Sequence, residues 1–187
     1  MLNTVLKRLA FGVLAAIVLA QTPETRATDE VPLNSRVAGQ QISRTFLMAP
    51  DFALYPGIGF PLNTKFVRVT TSSVGNANGL GKFTIDTVYE AELAFVDGLL
   101  TFVSDGVSVT TAANGDEFFG AFTLYRVVGQ NAFTGNWELT GGTGRFEGVT
   151  GAGNTVGVIF PDPSGLDSFY YEDEGWRSSV GSQKRNK

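Results

Sequence analysis

The 187-residue sequence contains no cysteine and no histidine. Without cysteine no disulfide can form, even in a compartment that would favour one. Without either residue the usual structural and catalytic zinc sites lack their ligands. Ser-His-Asp and Cys-His catalysis are excluded on the same ground. Any acid–base step would fall to carboxylates, tyrosines or lysines. Nothing in the sequence points to a metal or a cofactor. Also missing is an apolar run long enough to span a bilayer, which takes ~20 residues. The run that is present, Leu9 to Ala20, has twelve.

That run follows Lys7 and Arg8 and ends in Val18-Leu19-Ala20, with Thr25-Arg26-Ala27 as a second small-residue exit. A basic segment, an apolar core and a small-residue exit, in that order, mark a secretory signal peptide. Residues 1–27 are therefore expected to be removed, with cleavage after Ala20 or Ala27, and the chain to be exported to the periplasm or beyond. From Gln21 onward 12 basic side chains face 18 acidic ones, a net charge of −6. Nucleic acid demands a positive footprint and is excluded as a partner. The basic residues of the end segment 179–187 (Lys184, Arg185, Lys187) read as a solvated tail.

Helix signals are nearly absent, and β signals dominate from Lys65 onward. Between Lys82 and Phe95 the odd positions are Phe83, Ile85, Thr87, Tyr89, Ala91, Leu93 and Phe95, while the even ones are mostly polar. That alternation is the period-2 mark of a half-buried strand. Further strands are expected at Phe66–Ser72, Leu99–Val103, Val107–Ala112, Glu117–Val128, Phe133–Leu139, Thr155–Phe160 and Ser168–Trp176. Turn signals separate them: Gly75-Asn76, Asp97-Gly98, Asp105-Gly106, Asn114-Gly115 and Gly129-Gln130-Asn131. About eight strands with hairpin turns indicate an antiparallel barrel or sandwich. The strand Glu117–Val128 favours the barrel. It carries Phe118, Phe122 and Leu124 on one face and Phe119, Ala121 and Tyr125 on the other, so it needs apolar company on both sides. Before it, residues 28–64 hold Pro50, Pro56 and Pro61 and read as an extended arm over a barrel domain at 65–178, with one short strand near Ile42–Met48.

Seven glycines lie between Gly141 and Gly157. A dinucleotide loop would need a helix after Gly142-Thr143-Gly144, and a P-loop would need Gly-Lys-Ser/Thr. A calcium-binding glycine repeat would need an aspartate where Phe146 stands. None of these is met, so Gly141, Gly142, Gly144 and Gly148 are assigned to turns and bulges. Asn114, Gly115 and Asp116 form a tight turn as well, with Asp116 satisfying backbone N–H groups; the competing reading puts Asp116 and Glu117 at a cavity mouth.

The stretches "GNANGLGKFTID", "TAANGDEFFGAF" and "FTGNWELTGGTGRFEGVTGAG", in this order, resemble bacterial exported proteins with a barrel like that of allene oxide cyclase and the plant dirigent proteins. The most specific element is the Gly-Gly-Thr-Gly-(basic)-Phe run at Gly141–Phe146. The resemblance spans about Lys65 to Trp176. It implies an all-β, eight-stranded antiparallel barrel with an apolar central cavity, assembled as a homo-oligomer, commonly a trimer. In the plant proteins such a cavity steers a reactive hydrophobic intermediate. No catalytic residue of the plant proteins is carried over to this chain.

The side chains expected to line such a cavity are Phe83, Tyr89, Phe118, Phe122 and Trp137, together with Arg126; Phe95 and Phe102 add to the aromatic load. Arg126 and Arg145 are each expected in a structural ion pair, the alternative being an anionic ligand. Glu90 and Glu92 share a strand face and are expected to be solvated rather than catalytic. Glu172, Asp173 and Glu174 are read as a charged strand end that discourages edge pairing, with a divalent cation as the alternative. The expected function is binding of a small hydrophobic ligand. A cyclase- or isomerase-like enzyme and a structural trimer without ligand are the competing classes.

Overall fold

The computed structural model describes residues 30–179. The expected signal peptide and residues 180–187 of the tail lie outside the described residues. Eight strands follow one another: β1 (Glu30–Phe46), β2 (Lys65–Ala77), β3 (Gly81–Val96), β4 (Leu99–Ala112), β5 (Glu117–Val127), β6 (Ala132–Gly142), β7 (Gly151–Phe160) and β8 (Ser168–Ser178). Each pairs antiparallel with the next, and β8 returns to pair with β1 from Gln40↔Ser168 to Glu30↔Ser178. The barrel is closed and up-and-down, with no unpaired edge strand.

Turn chemistry explains the connections that are tight. Asp97 and Gly98 both adopt positive φ, 50° and 78°, between the paired Val96 and Leu99. Two positive-φ residues make the turn whose twist matches the flanking strands.

Three expectations are corrected. Residues 30–46 are no arm: they form β1 and complete the barrel. The alternation is real, with Leu33, Ser35 and Val37 buried and Asn34, Arg36 and Ala38 exposed, but serine inside hides it from a hydrophobicity pattern. Of the described residues of that expected arm, 47–64 lie outside the strands, and they pack across one barrel end. There Phe60 stacks on Phe66 with centroids 4.3 Å apart, and the Asn63 N–H donates to the Leu93 carbonyl at 2.7 Å. Second, Asp105-Gly106 is not a turn but the middle of one strand, β4. Third, β2 runs straight through Gly75-Asn76 to Ala77.

The reason for the last two is the same. Gly106 sits directly opposite Phe122, and a Cβ there would lie 2.6 Å from the Phe122 ring. Gly75 faces Phe83 in the same way. These glycines make room for a ring on the neighbouring strand rather than for a bend.

The apolar interior divides in two. Around the end formed by the β2–β3, β4–β5 and β6–β7 connections pack Leu33, Val37, Phe83, Ile85 and Phe118. Towards the opposite end pack Phe66, Val67, Val69, Ala91 and Leu93, joined by Ile58 and Phe60 from the segment after β1.

Candidate functional site

The first end is plugged by the glycine-rich stretch. A single 3-10 turn, Gly144–Phe146, leaves Phe146 at 2 % and Val149 at 1 % exposure, with the Phe146 ring edge-on to Phe118 at 5.1 Å. Gly141, Gly144 and Gly148 have φ of 138°, 56° and 70°, which a side chain resists. Thr140 is an extra residue on β6, because Gly120 pairs with Leu139 and Phe119 with Gly141. The turn-and-bulge assignment of the motif agrees with this geometry. Its purpose is to fold Phe146 and Val149 back into the barrel.

Asp116 fastens the plug. Its Oδ2 accepts from Asn114 Nδ2 at 2.6 Å and from the Arg145 backbone N–H at 3.3 Å, and faces Arg145 Nε at 3.7 Å. Gly115, with φ of 85°, completes the turn. Neither Asp116 nor Glu117 lines the cavity. The ion pair expected for Arg145 is present.

Above the plug lies a cavity of about 470 Å³ inside the barrel. All six expected lining residues, Phe83, Tyr89, Phe118, Phe122, Trp137 and Arg126, are on its wall, as is Phe102. Phe95 is not; it stands near the end of β3 with 62 % of its surface exposed. Four wall rings have a glycine opposite that makes room for them: Gly75 faces Phe83, Gly106 faces Phe122, Gly153 faces Trp137 and Gly157 faces Phe133.

Besides scattered hydroxyls such as those of Thr71 and Thr87, two clusters with charged side chains interrupt the apolar wall. The first is near the end opposite the plug. At the β1 bulge Gln41 pairs with Thr71 and Ser43 with Thr70, leaving Ile42 extra. The bulge turns both Gln41 and Arg44, three positions apart, into the cavity. Arg44 Nη2 donates to Gln41 Oε1 at 2.6 Å and to Asp167 Oδ2 at 2.9 Å, and Gln41 Nε2 donates to the Tyr89 hydroxyl at 3.3 Å. Burial raises the Tyr89 pKa, opposed by that hydrogen bond, so the phenol stays neutral.

Arg126 belongs to the same neighbourhood, but the expected ion pair is absent. Its Cζ sits 4.4 Å from the centre of the Phe102 ring, and Nη1 donates to the Gln130 carbonyl at 3.2 Å. Among the described residues no carboxylate reaches it. Burial lowers its pKa, with Tyr89 and Asp167 acting in the opposite sense.

The second polar group is deeper. Asp173 on β8 pairs in register with Ser35 on β1 and Thr155 on β7, and accepts from Ser35 Oγ at 2.7 Å and Thr155 Oγ1 at 2.5 Å. Burial raises its pKa, partly offset by these two hydrogen bonds. Tyr171, two residues earlier on the same face, is raised well above 10 by burial. The strand-end reading of Glu172, Asp173 and Glu174 is therefore corrected. β8 has a partner on both sides, Asp173 points inward, and its two exposed neighbours point outward. The three carboxylates do not converge, which also removes the divalent-cation alternative.

Glu90 and Glu92 are on the outer wall. Arg68 Nε donates to Glu90 Oε1 at 2.9 Å, and Lys65 Nζ lies 3.6 Å from Glu92, so both are paired rather than merely solvated. Sequence reasoning missed Gln41, Arg44, Ser35, Thr155 and Asp167 as cavity residues. The buried alternation of residues 30–46 brings Ser35 inside, but the bulge that admits Arg44 has no sequence mark.

No protein-family model and no curated protein matches the chain. Among solved structures it is similar to a pterocarpan synthase dirigent protein, at 11 % identity and a TM-score of 0.41, over 87 % of this chain and 98 % of that one. The closed barrel rests on the strand pairing itself.

Proposed function

We propose that this protein is an exported barrel that binds one small, largely apolar molecule in its interior. The supporting observation is the cavity of about 470 Å³ with an aromatic and aliphatic wall, plugged at one end. Pockets of this size and lining suit a small organic ligand. Export rests on the order of basic, apolar and small residues in 1–27. The test is titration with the neutral, apolar fluorophore N-phenyl-1-naphthylamine. The expected result is enhanced, blue-shifted emission saturating at one probe per chain, lost in a Ser104→Phe variant that fills the cavity while its β circular dichroism is retained. Emission that survives the filled cavity would place the probe elsewhere and refute the reading.

Assembly with further copies of the chain is part of the same proposal. Val74, Ala38, Tyr170 and Val158 form a register row across the outer wall of β2, β1, β8 and β7. Val74 is 62 % exposed, and a second copy would cover such a row. Light scattering is expected to show an oligomer that Val74→Glu shifts towards the monomer; a monomeric wild-type protein would end this part of the proposal.

The enzyme reading has its own support, because the interior is not purely apolar. Asp173, with its raised pKa, and the neutral phenol of Tyr89 are positioned for proton transfer to a bound molecule. On that reading Asp173→Asn abolishes turnover of a reactive hydrophobic substrate without abolishing its binding.

A further inference from the structure

We propose that the cavity selects an amphipathic carboxylate, its apolar part held between the aromatic walls and its single negative charge held by Arg126 and Tyr89. This rests on the reading that the cavity binds an apolar ligand, and it names the ligand class.

The argument is one of unsatisfied capacity. A guanidinium offers five N–H donors. Arg126 uses one on the Gln130 carbonyl, and its face on the Phe102 ring. The other cation of the group, Arg44, is already engaged by Asp167 and Gln41. Arg44, Arg126 and Asp167 together leave one positive charge without a partner at an apolar wall. A partly desolvated charge is costly until an opposite charge meets it. Tyr89 adds a second donor. Its oxygen accepts from Gln41 Nε2, and among the described residues no acceptor takes its own hydroxyl hydrogen.

One missing negative charge calls for a singly charged head. Arginine meets the two oxygens of a carboxylate with parallel donors, a geometry that lysine lacks. Below Arg126 and Tyr89, Phe122, Leu124 and Phe118 present carbon to the tail, while the Asp173 carboxyl, held by Ser35 and Thr155, lies on the β1, β7 and β8 side of the cavity. A neutral apolar molecule would fill that space and leave Arg126 as it is.

The experiment is calorimetric titration at neutral pH with dodecanoate and with dodecanol, which share a chain and differ in charge. Dodecanoate is expected to bind roughly ten-fold or more tightly than the alcohol. Arg126→Gln is expected to lower dodecanoate affinity by about ten- to a hundred-fold and dodecanol affinity far less. Arg126→Lys, which keeps the charge but not the fork, is expected to recover part of the loss. If the Gln variant does not fold, Tyr89→Phe and Arg126→Lys carry the test, each expected to narrow the preference for the acid. Equal affinity for acid and alcohol, or a preference that survives removal of the guanidinium, overturns this proposal while leaving apolar binding intact. Binding of neither probe overturns the cavity reading itself, and this inference with it.

Discussion

Gly106 shows how a single atom governs the wall. A Cβ at this position would lie 2.6 Å from both the Phe122 ring and Tyr89 Cβ, and 2.7 Å from the Val88 carbonyl. Backbone cannot yield as a flexible side chain does, so Gly106→Ala is expected to destabilise the fold by about 1–3 kcal/mol, measured by urea denaturation. An unchanged midpoint would mean that Phe122 can leave the wall freely. Asp173 supplies a pH signature. Burial raises its pKa, so the folded state holds this proton more tightly than the unfolded chain does. The stability linked to that proton is full below the unfolded pKa and is lost as pH rises through the folded one. Asp173→Asn is neutral at every pH. Relative to wild type it is expected to gain stability at neutral pH, and the gain is expected to shrink on acidification. A gain equal at both pH values would show that the carboxylate is not held out of solvent.

Among the elements, the plug is the one whose contribution is easiest to isolate. Phe146 and Val149 are almost fully buried, yet they come from a connection, not from a strand. Truncating a buried phenylalanine costs about 3–5 kcal/mol, and Phe146→Ala is expected to fall in that range by denaturant titration. A loss well below it would mean that the plug packs only loosely on Phe118. The bulge at Ile42 has the opposite character. It adds little to the core, but it decides that Arg44 faces Asp167 inside the barrel instead of solvent.

The molecule as a whole keeps its interior partly empty. Small residues opposite large ones let the rings lie flat, and closure of the sheet removes any edge that a packed core would otherwise protect. Occupying that space should therefore stabilise the fold by mass action. A ligand at a hundred times its dissociation constant adds about 2.7 kcal/mol, so saturating dodecanol is expected to raise the melting temperature. No shift at concentrations that saturate binding would mean that the unfolded chain binds it equally well.

Strand β3 was legible from residues alone, because the apolar and polar residues between Lys82 and Phe95 alternate with a period of two. The alternation of β5 groups Phe118, Phe122 and Leu124 on one face, but both of its faces are apolar, so it is closure of the barrel that turns this face to the cavity. The glycine motif could be recognised as turn and bulge from what it lacks. Other features had no such signature. β1 alternates serine and glutamine with aliphatic residues on its inner face, so its burial follows from closure against β2 and β8, not from hydrophobicity. Asp-Gly at 105–106 carries the chemistry of a turn, and only the Phe122 ring across the strand pair keeps it extended. Asp173 meets Ser35 from 138 residues away, a neighbour set by barrel register. Local pattern thus specified strands such as β3 and the turns made by positive-φ residues. Which polar groups meet inside was set by closure and by a bulge, because those depend on pairings between distant segments that no local window contains.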